Sequence, residues 1–265
     1  MMKTTKILMV IYSAAAIIFC SHSNIYADEA VGYTYSIIDG RAEITGCTGE
    51  PKFLEIPESI DGEPVILIRD NAFYRCESLT EIRLPETVSK IGHHAFFGCT
   101  SLSTVKLPET LSFIGMGAFS GCTSLSSLCL PDTLTVIPDD CFNGCSELNF
   151  VSTGSRIKTI GSRAFYSCGA LESLYLPPSA DEISSDAFDR SEIVLIGEKK
   201  SKAEEFASAN GIPFINSDNA VSAVSLSEIK SRRNLGIIGT LLLLSGIVIM
   251  SFSSVKAYIR FRREK

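Results

Sequence analysis

The chain has 265 residues, of which 45% are hydrophobic and 20% charged, with nine cysteines, three histidines, no tryptophan and a formal net charge of −6. That length allows one or two ordinary domains, and the acidic balance argues against nucleic acid or an anionic lipid surface as partner. So few histidines leave little material for a metal centre or a His-based catalytic group.

At the N-terminus, Lys3 and Lys6 precede an apolar run, Ile7 to Phe19, followed by polar residues and a small-residue site ending at Ala27. This pattern predicts a secretory signal peptide over 1–27. Residues 33–60 read as a degenerate coil in which Leu54-Glu55-Ile56-Pro57 echoes a strand found later. With the Asp61-Gly62-Glu63-Pro64 turn they are expected to cap the first coil.

From there the chain repeats itself. Phe73, Phe96, Phe119, Phe142, Phe165 and Phe188 stand 23 positions apart, in register with a column of Cys from Cys76 to Cys168, a column of Leu from Leu79 to Leu171 and a column of Ile from Ile68 to Ile183. The unit is clearest from Ile91 to Phe113: Ile-Gly-x-x-Ala-Phe-x-Gly-Cys-Thr-Ser-Leu-x-x-Val-x-Leu-Pro-x-x-Leu-x-x. Val105 and Leu107 fall on one side of a short strand by two-residue alternation, and Pro108 ends it because it has no N–H for a ladder. One unit has too small a core to fold alone, so the units must stack, with their strands joining in a parallel sheet. Leu107-Pro108-Glu109-Thr110 begins like a sortase signal. Its recurrence at Leu84-Pro85-Glu86-Thr87, with Leu130-Pro131-Asp132-Thr133 beyond, identifies it as a strand end and turn.

This unit resembles the leucine-rich repeats of the BspA-like, or Treponema-type, family over roughly 54–196. The fourth unit departs from the pattern, with Pro138 for Gly, Cys141 for Ala and Val151-Ser152-Thr153-Gly154 at the strand end. The resemblance implies a leucine-rich repeat solenoid of stacked coils and a cell-surface protein that adheres to matrix proteins.

Beyond the repeats, 199–210 reads as a helix with Ala203, Phe206 and Ala207 on one face and Gly211 as its stop, followed by an apolar strand, Ile212 to Ile215. Helix and strand are expected to close the far end of a repeat domain spanning 28–215. Residues 216–233 read as a Ser-rich linker. Residues 234–255 carry no charge and are long enough to cross the roughly 30 Å hydrocarbon layer, so they read as one transmembrane helix. The basic segment 256–265 is then a cytoplasmic tail. Between leader and span lie 17 basic and 29 acidic residues, a net charge of −12.

The cysteine column is expected to be small apolar filling, mostly as buried thiols, with occasional disulfides between coils. His93 and His94 read as adjacent turn residues. Cys141, beside Asp139 and Asp140, reads as packing, since acidic neighbours raise a thiol's pKa. No catalytic motif, cofactor site or metal site stands in the sequence, so the chain is not expected to be an enzyme. Recognition is the chemistry a solenoid supports, through strand positions that point away from the core. Arg83, Lys106, Phe150 and Tyr175 are the candidate binding residues, the two aromatics forming an exposed patch. The partner would be a protein or another macromolecule at the cell surface. The alternative is a non-catalytic envelope or structural protein acting with a membrane partner.

Overall fold

Each 23-residue unit closes one coil of a solenoid in the computed structural model, which describes residues 24–28 and 32–217. The expected span at 234–255, the tail at 256–265, nearly all of the leader and most of the linker lie outside the described residues. Among the described residues no helix is long and apolar enough to cross a membrane.

The N-terminal segment corrects the sequence reading, because its first half is not a coil. Strands β1 (Asn24–Asp28), β2 (Tyr33–Ile38) and β3 (Arg41–Cys47) pair antiparallel in that order. The cleavage point expected at Ala27 falls inside β1. Asp39 and Gly40, with φ of 51° and 70°, make the two-residue loop between β2 and β3, a backbone that matches strand twist and favours Asp-Gly. The coil begins afterwards with β4 (Phe53–Glu55), then β5 (Ser59–Ile60) and β6 (Glu63–Ile68), a short hairpin turned at Asp61-Gly62.

Each later coil adds two short strands, so the single expected sheet is in fact two walls. The pairs are β7 (Glu81–Arg83) and β8 (Lys90–Ile91), β9 (Thr104–Lys106) and β10 (Phe113–Ile114), β11 (Ser127–Cys129) and β12 (Val136–Ile137), β13 (Phe150–Ser152) and β14 (Thr159–Ile160), β15 (Ser173–Tyr175) and β16 (Glu182–Ile183). After them come β17 (Val194–Gly197), helix α1 (Lys202–Asn210) and β18 (Phe214–Asn216). One wall consists of the parallel ladders β4-β7-β9, β11-β13 and β15-β17-β18. The other continues from β3 through β6-β8-β10 and then β12-β14-β16. Helix α1 forms where the sequence places it. The Ser201 hydroxyl accepts the Glu204 N–H, and Gly211 at φ 67° ends the helix in the left-handed conformation that glycine adopts without strain.

Between the walls run the columns. The rings of Phe73, Phe96, Phe119, Phe142, Phe165 and Phe188 stack in succession with centroids 5.2 to 5.8 Å apart, and Phe206 of α1 meets the last ring edge-on at 5.9 Å. Beside each ring, the cysteine thiol donates to the phenylalanine carbonyl one coil earlier. Cys99 bonds Phe73, Cys122 bonds Phe96, Cys145 bonds Phe119 and Cys168 bonds Phe142, at 3.0 to 3.1 Å. Ser191 takes the same place at the next coil and bonds the Phe165 carbonyl at 2.7 Å. The column therefore selects a small side chain that also carries a donor. Its first member, Cys76, is instead joined by a disulfide to Cys47 of the hairpin.

Two sequence signals gain their physical cause here. A Cβ on Gly115 would stand 2.4 Å from the His93 nitrogen, so the turn of this coil admits no side chain at that position. The threonine of Leu-Pro-Glu-Thr returns its hydroxyl to the previous coil: Thr110 donates to the carbonyl of Val88 at 3.0 Å, and Thr133 repeats this with Leu111. The motif recurs because the turn beneath it recurs.

Replacing Phe119, fully buried between two rings, by alanine should cost roughly 3–5 kcal/mol of unfolding free energy, the usual cost of a large buried aromatic lost to a cavity. Urea denaturation measures it, and a loss below about 1 kcal/mol would show that the ring column is not core.

Candidate functional site

On the first wall, strand alternation turns one residue of each triplet into the core and leaves its two neighbours facing outward. Ile82, Val105, Leu128, Val151 and Leu174 point inward. At the N-terminal half the outward rows are Phe53–Glu81–Thr104 and Glu55–Arg83–Lys106, set by the pairing of β4, β7 and β9. The Arg83 guanidinium lies over the Phe53 ring at 5.2 Å and pairs with Glu81 at 3.0 Å, while Lys106 reaches Glu86 at 3.9 Å. Phe53 is 46% exposed, and the side chains of Arg83 and Lys106 are 60% and 57% exposed. Exposed ion pairs of this kind contribute about 0–1 kcal/mol, so both cations can exchange their carboxylates for those of a partner at small cost. The fold thus brings Arg83 and Lys106 together on adjacent strands and adds Phe53 to them. Phe53 was legible in the sequence, since it stands beside Leu54 in the strand echo, at the position alternation turns outward.

The other two candidates lie further along the wall and do not form the expected exposed patch. Phe150 faces away from the core, as its place in the triplet requires, yet it is only 6% exposed. The reading of Phe150 as an open aromatic anchor is therefore corrected. Alternation decides which side of a strand a residue takes, not whether that side is covered. Tyr175, one coil on, is half-buried.

The second wall carries Phe113, Met116 and Val136, all exposed. His93 sets its imidazole edge-on to Phe113 at 6.0 Å, and its Nδ1 accepts the Met116 N–H at 3.0 Å. Its backbone N–H is taken by Asp70 at 2.7 Å, just as Asp139 takes the N–H of Ser162 three coils later in the same column. His93 is thus a rung in a side-chain ladder joining successive turns. His94 packs edge-on against Phe97, which stacks on Tyr74. Among the described residues no group of three or more His, Cys, Asp or Glu is arranged to hold a metal ion.

Burial is the largest influence on the thiols, and at Cys141 no acidic neighbour adds to it. It pushes Cys99 and Cys168 up to about 12, and raises Cys122, Cys141 and Cys145 well above the usual thiol value, with neighbouring thiols adding to the rise at these three. Cys141 is packing, as its place in the alanine column implies, and these groups are poor nucleophiles because the thiolate is the reactive form.

Three comparisons bear on what this arrangement is. The family model for the BspA type leucine rich repeat region matches six copies over residues 66–194. The solved leucine-rich repeat protein of Treponema pallidum is 30% identical, with 69% of this chain and 95% of that one covered and a TM-score of 0.55. The chain belongs to the BspA-type leucine-rich repeat family. Within this leucine-rich repeat fold, a leucine rich cell surface protein of Faecalibacterium prausnitzii is 26% identical over 66% of this chain and 55% of that one, with a TM-score of 0.51. The pneumococcal vaccine antigen PcpA, 18% identical over 72% of this chain and 47% of that one, shares the repeat fold at a TM-score of 0.56. No curated protein matches the chain.

The raised thiols make a pH prediction whose sign follows from linkage. In the folded chain they hold their protons above the unfolded value of 9.0, so their stabilisation is complete below about pH 9 and is lost as pH rises through the folded values. The unfolding free energy from urea titration should therefore fall above about pH 9, by up to about 1.4 kcal/mol per thiol for each pH unit, and Cys122→Ala should make that fall shallower. Equal slopes for parent and variant would contradict the assignment.

Proposed function

We propose that this protein is a single-pass bacterial cell-surface recognition protein that holds a macromolecular partner on the N-terminal half of its strand wall, with adhesion as the outcome. The observation that carries this reading is the open cluster of Phe53, Arg83 and Lys106, where an aromatic ring and two exchangeable cations share one outward surface across two neighbouring rows. Arginine and aromatic side chains dominate the energetics of protein interfaces, and a ring already stacked under a guanidinium loses little freedom on binding. The description of the Faecalibacterium relative as a cell surface protein supports the location. A leader at 1–27 and a span at 234–255 would put the repeats outside the cell and the basic tail inside, with α1 and β18 closing the end of the solenoid nearer the membrane.

Adhesion of cells displaying the full chain tests the reading. Arg83→Glu with Lys106→Glu should lower retention on immobilised matrix proteins or on bacterial cells about tenfold, equivalent to about 1.4 kcal/mol, while Lys90→Ser on the other wall should change little. Equal retention by the parent and the doubly reversed variant on every surface that holds the parent would refute this site.

Anchoring has its own readout. A chain ended after Arg233 should appear in the medium and the full chain should remain with membranes. Recovery of the full chain covalently bound to wall polymer would contradict a membrane span.

A further inference from the structure

The outward side of the second wall carries a residue order that fits a reversed copy of itself. Among the described residues five large hydrophobic side chains are exposed, and three of them, Phe113, Met116 and Val136, lie together on this wall. Apolar exposure gathered at one place marks a surface that another molecule covers. Each two-residue strand turns its second member inward, as Ile91, Ile114, Ile137 and Ile160 are, and its first member outward. The outward row therefore runs Lys90, Phe113, Val136, Thr159, Glu182, one residue per coil. A cation stands at one end, a carboxylate at the other and the apolar pair between them.

That order complements itself only in reverse. A second copy set face to face about a two-fold axis through Val136 places Val136 on Val136, Phe113 on Thr159 and Lys90 on Glu182 of the other copy. Each unlike contact then occurs twice, as an isologous interface requires. The columns on either side agree, because the same axis sets His93 against Asp181 and Met116 against the apolar stem of Lys158. Since His93 Nδ1 accepts the Met116 N–H, the neutral ring carries its proton on Nε2 and offers Asp181 a donor. Lys90 forms no ion pair among the described residues, and Glu182 only accepts the Thr159 hydroxyl at 3.3 Å, so both charges are open to this contact. A parallel arrangement would set Lys90 against Lys90 and Glu182 against Glu182. A slip of one coil would set Glu182 against Leu67, the partner of Lys90 in β6.

We propose that the second wall pairs with a second copy of this chain, antiparallel and centred on Val136, with Lys90 and His93 of each copy facing Glu182 and Asp181 of the other. The contact leaves Phe53, Arg83 and Lys106 open on the first wall of both copies. Reversal carries the two clusters toward opposite ends, so the pair is bivalent. This assignment does not depend on what the first wall binds.

The test uses cells displaying the full chain. Val136→Cys, oxidised with copper phenanthroline and mapped by peptide mass spectrometry, should yield a link from position 136 to position 136, which one chain cannot form with itself. Position 90 lies two strand spacings from the axis and so about 20 Å from its own counterpart, and Lys90→Cys should give about tenfold less of the corresponding link. Adding Lys90→Glu or Glu182→Lys to Val136→Cys sets like charges together at both ends and should lower the yield about tenfold. Adding both restores opposite signs and should return it. Reversal is needed because loss of one exposed charge changes little. Absence of the 136 link, equal links at 90 and 136, or a yield indifferent to the single reversals would each overturn the proposal, as would a yield that the double reversal fails to restore.

Discussion

Each phenylalanine of the column from Phe96 to Phe165 does two things at once. Its ring stacks between the rings of neighbouring coils, and its amide donates to a carbonyl one coil further on, as Phe96 does to Ala118 and Phe119 to Cys141. Neither contact exists within one unit. A coil therefore has a defined shape only when its neighbours are in register, and one inserted residue would displace the ring, the amide and the thiol bond together. This explains why the spacing of 23 is kept without interruption through six phenylalanines, while outward residues vary freely.

That constraint also explains how much could be read before any coordinates. Inward columns are specified by packing and repeat, so Phe119, Cys122, Leu125 and Ile114 were legible as core from periodicity alone. The helix was legible too, since Ala203, Phe206 and Ala207 share a face and Gly211 stops it. The N-terminal hairpin was missed although Asp39-Gly40 between apolar-rich strands is a strong two-residue turn signal. The strand echo at Leu54 drew the whole segment into the repeat instead. The second wall was missed because its strands are only two residues long, too short for alternation to register. Phe150 was misread for a different reason. Local pattern gives the side of the strand, but burial on that side depends on tertiary packing, which leaves no local trace.

Function divides along the same line. Residues that hold the coils together are uniform, fully buried and chemically quiet, as the raised thiols illustrate. Residues available for recognition differ from coil to coil, and the wall they share is not uniform. Phe53, Arg83 and Lys106 stand open, whereas Phe150, Val194 and Ile196 are buried on the same side of the sheet.

The central claim is that the coils are held in register by the phenylalanine column and the amides it carries. Native-state hydrogen exchange tests it most directly. The account predicts that the Phe96, Phe119 and Phe142 amides exchange only through the global unfolding event, with protection falling toward the ends of the solenoid and lowest on turn amides that bond within a single coil. Phe119 exchanging as fast as those turn amides, in a chain that otherwise remains folded, would contradict it.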